Sequence, residues 1–372
     1  MDYEIIRYEH KYDDEICEFQ KPLWTADSNL NKSYFRWKYL ENPVSESPKI
    51  YLVLRAGKLI GFRGLQDMHW QIGGTPNRFI ALSSMDLHIH QDLRNKGIYT
   101  NLMNFVLRDL NEMGYRYIFN FSAGTVNYLN SLAMGWKSIG EIHTMKMTNN
   151  IQRNEPGAIK FARRILWKTG AAQRLKDLLG IRQSINKIHL QSTTEPQSRL
   201  VVEDRPKPKE MATLVKDLVP INKITLIRDE TYFSWRYNNP MSKYIFLYLY
   251  DEGLKGYLVL GNNGLLIGDY ETYNIYELEA ASSAIKIELL NHLIKIMDFG
   301  TISVWERMLD QDCTDYLISE GFIEGNLRKS VKDFTQTILI KSLGKDNRCE
   351  HQGLNLLDSQ NWDLKITYVH DY

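Results

Sequence analysis

The apolar and polar positions of this chain fall into segments of period two and segments of period 3.6. Residues 3–8, 49–55, 59–66 and 78–90 read as strands, and Ala56-Gly57-Lys58 turns the second into the third as a hairpin. Residues 98–114 change period. Leu102, Phe105, Val106, Leu110 and Met113 recur at helical spacing, and Gly114 stops the helix. Residues 13–19 read as a short helical turn. Residues 33–40 read as an aromatic helix with Ser33 as N-cap and Asn42-Pro43 as its stop. A strand over 117–121, a helix over 125–134, Gly135-Trp136 and a last strand over 139–147 complete this half.

The second half repeats the order. Thr231-Tyr232-Phe233-Ser234-Trp235-Arg236-Tyr237-Asn238-Asn239-Pro240 matches the segment from Ser33 to Pro43 with one residue deleted. Strands over 244–250 and 254–260 flank a turn at Asp251-Glu252-Gly253, and Gly321-Phe322 echoes Gly135-Trp136. Such order indicates a tandem duplication. The expected domains are 1–150 and 199–372, joined by 151–198, with residues 362–372 as a last strand of the second sheet. The expected fold is α/β (α+β), each domain a mixed, mostly antiparallel sheet flanked by helices. Within the joining segment, 159–179 is a basic amphipathic helix that suits either a docked connector or a weak contact with an anionic membrane surface.

Composition narrows the function class. Of 372 residues, 43% are hydrophobic and 24% charged, with a formal net charge of +1, so bulk charge gives no argument for nucleic acid. Cys17, Cys313 and Cys349 are scattered, with neither a CxxC pair nor a metal spacing, which fits a reducing cytoplasm and no metal. No apolar run reaches the roughly 20 residues that span a bilayer, and the start does not read as a signal peptide.

The chemistry concentrates in residues 83–103. A strand ends near His90, a basic loop carries Arg94, Asn95, Lys96 and Gly97, and a helix opens at Ile98 and Tyr99. Loop amides and a helix N-terminus aimed at one point make an anion site suited to phosphate. The spacing is neither GxxxxGK[ST] nor GxGxxG. At the matching place in the second half, Tyr273-Asn274-Ile275-Tyr276-Glu277-Leu278-Glu279 leads to a helix without a basic glycine loop, so one site per chain is expected.

The loop resembles the Q/R-x-x-G-x-G/A motif of the GNAT superfamily of acyl-CoA-dependent N-acyltransferases. Arg94 through Ile98 fit the first five positions and Tyr99 replaces the small sixth residue. The element order and Gly135-Trp136 strengthen the likeness over 1–150, and it continues weakly over 200–372. The resemblance implies acetyl-CoA, or another acyl-CoA, as co-substrate. Its pyrophosphate would lie on Arg94, Asn95, Lys96, Gly97, Ile98 and Tyr99. Its pantetheine arm would lie along Leu87, His88, Ile89 and His90 where the strand splays from its neighbour, with Asn120 across the gap. The thioester would sit near Met85–Leu87. Asp86 and His88 are candidates for the base, each also readable as a structural ion pair or packed ring. The acid that family members supply from a Tyr falls on Ser131, so Tyr128, one turn earlier, is the substitute candidate.

The implied activity is N-acetyl transfer to a small-molecule amine. A further likeness to two-domain proteins of bacterial surface-polysaccharide pathways implies an amino sugar or sugar nucleotide as acceptor. Two other readings stay open: an aminoacyl transferase acting on a peptidoglycan precursor, and a non-catalytic acyl-CoA-binding module, which the missing Tyr at position 131 favours.

Overall fold

The computed structural model describes residues 2–74, 77–123, 125–148, 199–262, 272–297, 299–324, 336–344 and 346–368. The basic segment 159–179 and the joining segment lie outside them. The chain divides into two compact units, neither of them continuous in sequence. Unit 1 holds residues 1–143, 206–243 and 328–372; unit 2 holds 144–205 and 244–327. Contiguous halves at 1–150 and 199–372 are therefore not the division that the compact units follow.

Unit 1 is built around the helix α3 (Ile98–Glu112) and the sheet beneath it. Its inward residues Ile98, Leu102, Val106 and Leu110 repeat every four positions and are buried. Each such side chain contributes about 1.5–3 kcal/mol of burial. They pack on Leu82, Ile89, Ile118 and Leu339. A polar anchor fixes the same helix. The Asp109 carboxylate accepts from Arg7 Nη2 at 2.6 Å and from Tyr51 Oη at 2.7 Å. Burial acts to raise the pKa of Asp109, but Arg7 and Tyr51 together hold it below the usual carboxylate range.

The strands of this sheet are β1 (Glu4–Arg7), β2 (Lys49–Arg55), β3 (Lys58–Ile72), β4 (Arg78–Ile89), β5 (Tyr117–Ala123) and β6 (Lys137–Ile142). Among the described residues its order is β1-β2-β3-β4-β5-β15-β6, where β15 is Gln336–Ser342 from the far end of the chain, and β9 (Ile224–Leu226) pairs with β3. Pairing is antiparallel except between β4 and β5. The other face carries α1 (Asp13–Phe19), α2 (Ser28–Phe35) and a continuing π turn, Arg36–Leu40. The N-cap of α2 is Asp27, which accepts from the amides of Asn29 and Leu30. Ser33 sits inside the helix and bonds back to the Asn29 carbonyl, so the expected cap lies six residues too late.

The second copy's helices α5 (Pro208–Asp217) and α6 (Glu230–Arg236) also belong to unit 1. Trp37 and Trp235 explain the association. Their rings stack at 5.2 Å, and each indole N–H donates to the other's carbonyl at 2.8 Å. The repeat thus pairs with itself in the self-complementary manner of a twofold interface.

Unit 2 has the order β14-β7-β13-β12-β11-β10-β8. Here β7 is Thr144–Thr148, β8 Leu200–Glu203, β10 Lys243–Tyr250, β11 Leu254–Asn262, β12 Thr272–Ala280, β13 Thr301–Trp305 and β14 Ile323–Glu324. Helices α7 (Ser283–Ile296) and α8 (Gln311–Ser319) accompany them, while α4 (Thr125–Ala133) belongs to unit 1. The expected strand over 139–147 breaks at His143, and its two pieces enter different sheets. Equivalent slots are filled reciprocally, β15 between β5 and β6, and β7 between β13 and β14. This exchange corrects the expected role of the tail. Trp362 makes one parallel bridge to Ile224 in unit 1 and Ile366–Tyr368 coils as a 3-10 turn, because β7 already fills the slot in the second sheet.

Leu339 is fully buried in the unit 1 core although it lies more than 200 residues from β5. Leu339→Ala should cost about 2–5 kcal/mol. In denaturant unfolding with hydrogen exchange, protection should fall in β5 and β6; unchanged protection there would contradict the exchange.

Candidate active site

The β4–β5 pair runs parallel for a short stretch and then stops. Leu82 faces Ile118 and Ser83 faces Phe119; past these, no pairing joins the two strands among the described residues. Each strand keeps its other neighbour. β3 stays paired to β4 as far as Ile89, and β15 to β5 as far as Ala123. The gap is therefore held open from both sides, with alternate backbone N–H and C=O groups of residues 84–89 turned toward it.

A bulge sits at the mouth of this gap. Arg63 pairs with Leu87 and Gly64 with Met85, which leaves Asp86 as the extra residue. Its φ is +22°, unusual for a residue other than glycine. The bulge reverses the alternation of β4. Leu82 packs under α3, and so do Leu87 and Ile89, an odd number of residues later. Asp86 and His88 consequently face α1 and the aromatic turn.

Asp86 is buried. Its Oδ2 lies 2.9 Å from Lys38 Nζ and accepts from Tyr39 Oη at 2.7 Å, while Oδ1 has no hydrogen-bond partner. His88 stacks on Phe19 at 4.4 Å. Burial first, and the Arg94 charge second, push its pKa below the ordinary 6.5, against a hydrogen bond to the Phe19 backbone. Its Nδ1 has no partner, so the tautomer protonated at Nε2 leaves a bare lone pair on Nδ1. His90 is exposed beside Asp92.

The strand ends in a 3-10 turn, Gln91–Leu93, and then the loop. Arg94 Nε donates to the Ile89 carbonyl at 3.2 Å, which ties the loop to the strand. Asn95 and Gly97 are both left-handed, with φ +60° and +76°. Gly97 is the N-cap of α3, and no side chain caps that helix. Its first-turn amides, free of any acidic residue, meet the exposed Arg94 and Lys96, as an anion site requires. The second copy differs at this point. Its α7 follows β12 after only Ala281 and Ser282, and Ser282 caps its own helix by accepting from Ile285.

The structure thus gathers Arg94, Asn95, Lys96, Gly97, Ile98 and Tyr99 at one end of the gap, with Leu87 and Ile89 along one side and Asn120 on the other. Tyr128 is half-buried and packs into the cluster that includes Leu87 and Tyr99, so it lies on the α3 side of β4 while His88 lies on the α1 side. Sequence reasoning missed Lys38, Tyr39 and Gly64. A Cβ on Gly64 would stand 2.0 Å from the Tyr39 hydroxyl, so glycine is what lets the phenol reach Asp86. Among the described residues no group of His, Cys, Asp and Glu has the form of a metal site. A cleft of about 730 Å³, lined by His69, Phe79, Met113, Tyr115 and His351, opens at the opposite end of α3 and is separate from the loop.

Residues 12–134 match the sequence model of the acetyltransferase (GNAT) family. No curated protein matches the chain. Solved structures share its fold at low identity. A GCN5-related N-acetyltransferase from Anabaena variabilis superposes with a TM-score of 0.57 at 12% identity, over 92% of this chain and 73% of that one. A probable N-acyltransferase of unknown function from Enterococcus faecalis gives 0.54 at 9%, over 92% and 73%. A tandem GNAT protein from the clavulanic acid biosynthesis pathway gives 0.52 at 10%, over 92% of this chain and 99% of that one. The bulged strand, the gap and the glycine loop all lie within or beside the matched segment, and the chain accordingly has the tandem GNAT fold, with residues 12–134 matching the sequence model of the acetyltransferase (GNAT) family.

Proposed function

We propose that the protein is an acyl-CoA-dependent N-acyltransferase that moves an acetyl group to the amine of a small molecule. The observation that carries this reading is the gap between β4 and β5 leading to the uncapped amides of α3. Those amides, with Arg94 and Lys96, suit a pyrophosphate. The backbone of residues 84–89 suits an amide-bearing arm that hydrogen-bonds like a strand. The family match adds weight to acetyl-CoA as co-substrate, which would supply an activated acyl carbonyl. An amino sugar as acceptor, and a cytoplasmic setting, rest on the sequence alone; the free, buried Cys17, Cys313 and Cys349 agree with a reducing compartment.

His88 takes the proton that the amine nitrogen loses as it bonds to the acyl carbon. Burial keeps the ring neutral and its Nδ1 lone pair bare. Backbone donors near the bulge stabilise the negative charge that develops on the acyl oxygen. As the carbon–sulfur bond breaks, the sulfur receives a proton from Tyr128. Base and acid thus work from opposite faces of β4, so the amine enters from the α1 side.

Acetyl-CoA with a panel of amines should release free thiol; binding without thiol release for any amine would favour a binding module instead. Gly97→Asp should weaken CoA binding roughly 100-fold by setting a carboxylate against the pyrophosphate. Gly97→Asn, which tolerates the left-handed backbone, should retain most of it. Equal affinities by calorimetry would remove the loop from the site.

The pH dependence follows from His88. Its neutral form is the active one and its pKa is lowered, so kcat/KM should hold through neutral pH and fall only below about 6.5. His88→Gln should lower kcat by about 10²–10⁴ and erase that acid limb. A preserved limb in the variant would assign the base elsewhere.

A further inference from the structure

Two irregularities of unit 1 meet at one buried ion pair. One is the π turn Arg36–Leu40, a form that recurs at functional sites. The other is the bulge at Asp86. Lys38 and Tyr39 are consecutive in the turn, and both reach the same Asp86 oxygen, at 2.9 and 2.7 Å. The Lys38 and Asp86 side chains are 0% and 1% exposed. Further bonds hold the turn in place: Lys38 Nζ donates to Tyr34 Oη at 3.1 Å, and Gln66 Nε2 of β3 donates to the Lys38 carbonyl at 3.2 Å.

The chain contains its own comparison. In unit 2, Val259 pairs with Glu277 and Leu260 with Ile275, so β12 bulges at Tyr276. β12 also leaves its parallel partner β13 just before that point, after Asn274 and Ser303. The second copy therefore keeps both the bulge and the separation, yet Tyr276 has no positive φ and no carboxylate. A bulge alone does not demand the left-handed backbone seen at Asp86. The feature that accompanies it in unit 1 is the pull of Lys38 and Tyr39 on the Asp86 side chain.

We propose that Lys38, Tyr39 and Asp86 are positioning residues that hold the β4 backbone at Met85–Leu87 in the conformation that receives the acyl carbonyl, an inference that rests on the acyl-CoA reading above. In this role Asp86 exchanges no proton. It fixes peptide directions, and Gly64 is required because any side chain there displaces the Tyr39 hydroxyl.

Tyr39→Phe and Gly64→Ala test this without an acceptor. Calorimetry with CoA and difference infrared spectroscopy of bound acetyl-CoA, carbon-13 labelled at the carbonyl, are measured on each. In the wild type the carbonyl band should move to lower frequency on binding. Both variants should bind CoA as the wild type does and lose that shift, and kcat should fall roughly tenfold to hundredfold, the cost of a small misplacement. The acid limb of kcat/KM should stay where it is, and Asp86→Asn, which keeps an acceptor for Tyr39, should retain the limb too. A wild-type carbonyl shift in both variants, or loss of the limb in Asp86→Asn, overturns the positioning role. A wild type that binds neither CoA nor acetyl-CoA overturns the acyl-CoA reading itself.

Discussion

The separation of β4 from β5 is the constraint on which the site depends. Two adjacent parallel strands normally satisfy one another's backbone groups, and a stretch that does not do so must be held apart. Here the holding is done by the outer neighbours: β3 pairs along β4 to Ile89, and β15 pairs along β5 to Ala123. The gap that results presents unused backbone donors and acceptors at one end of the sheet, and α3 starts where the gap ends. About that line lie the loop at its end, His88 on one face of β4 and Tyr128 on the other.

The exchange of β7 and β15 bears directly on that constraint. The strand that keeps β5 from following β4 comes from residues 336–342, so the first copy does not contain all of its own sheet. The second copy is in the same position with respect to β7. The duplication has diverged at the site while keeping its framework. β12 retains a bulge and a separation, but Ser282 occupies the helix end that Gly97 leaves open in α3. A helix terminus capped by its own side chain has fewer amides to offer an anion.

Much of this was legible in the residues. The 3.6 period of α3, the hairpin at Ala56-Gly57, the basic glycine loop and the repeated aromatic segment each follow from local patterns. The exchange was not legible, because strands β6 and β7 are contiguous in sequence and only the sheet decides where each goes. The bulge left a trace: Leu82, Leu87 and Ile89 are all apolar, and the first two are an odd number of residues apart, so one face cannot hold all three without an extra residue. Lys38 and Tyr39 left none, since a charged residue in an aromatic helix reads as a solvated position until the buried Asp86 is placed beside it.

The most direct test of the account is a crystal structure with acetyl-CoA bound. The pyrophosphate should lie on the amides of residues 95–99 and the pantetheine arm between residues 84–89 and 120–123. Acetyl-CoA bound elsewhere, at the start of α7 or in the cleft beside His69 and His351, or β4 and β5 found paired beyond Ser83 and Phe119, would contradict the account.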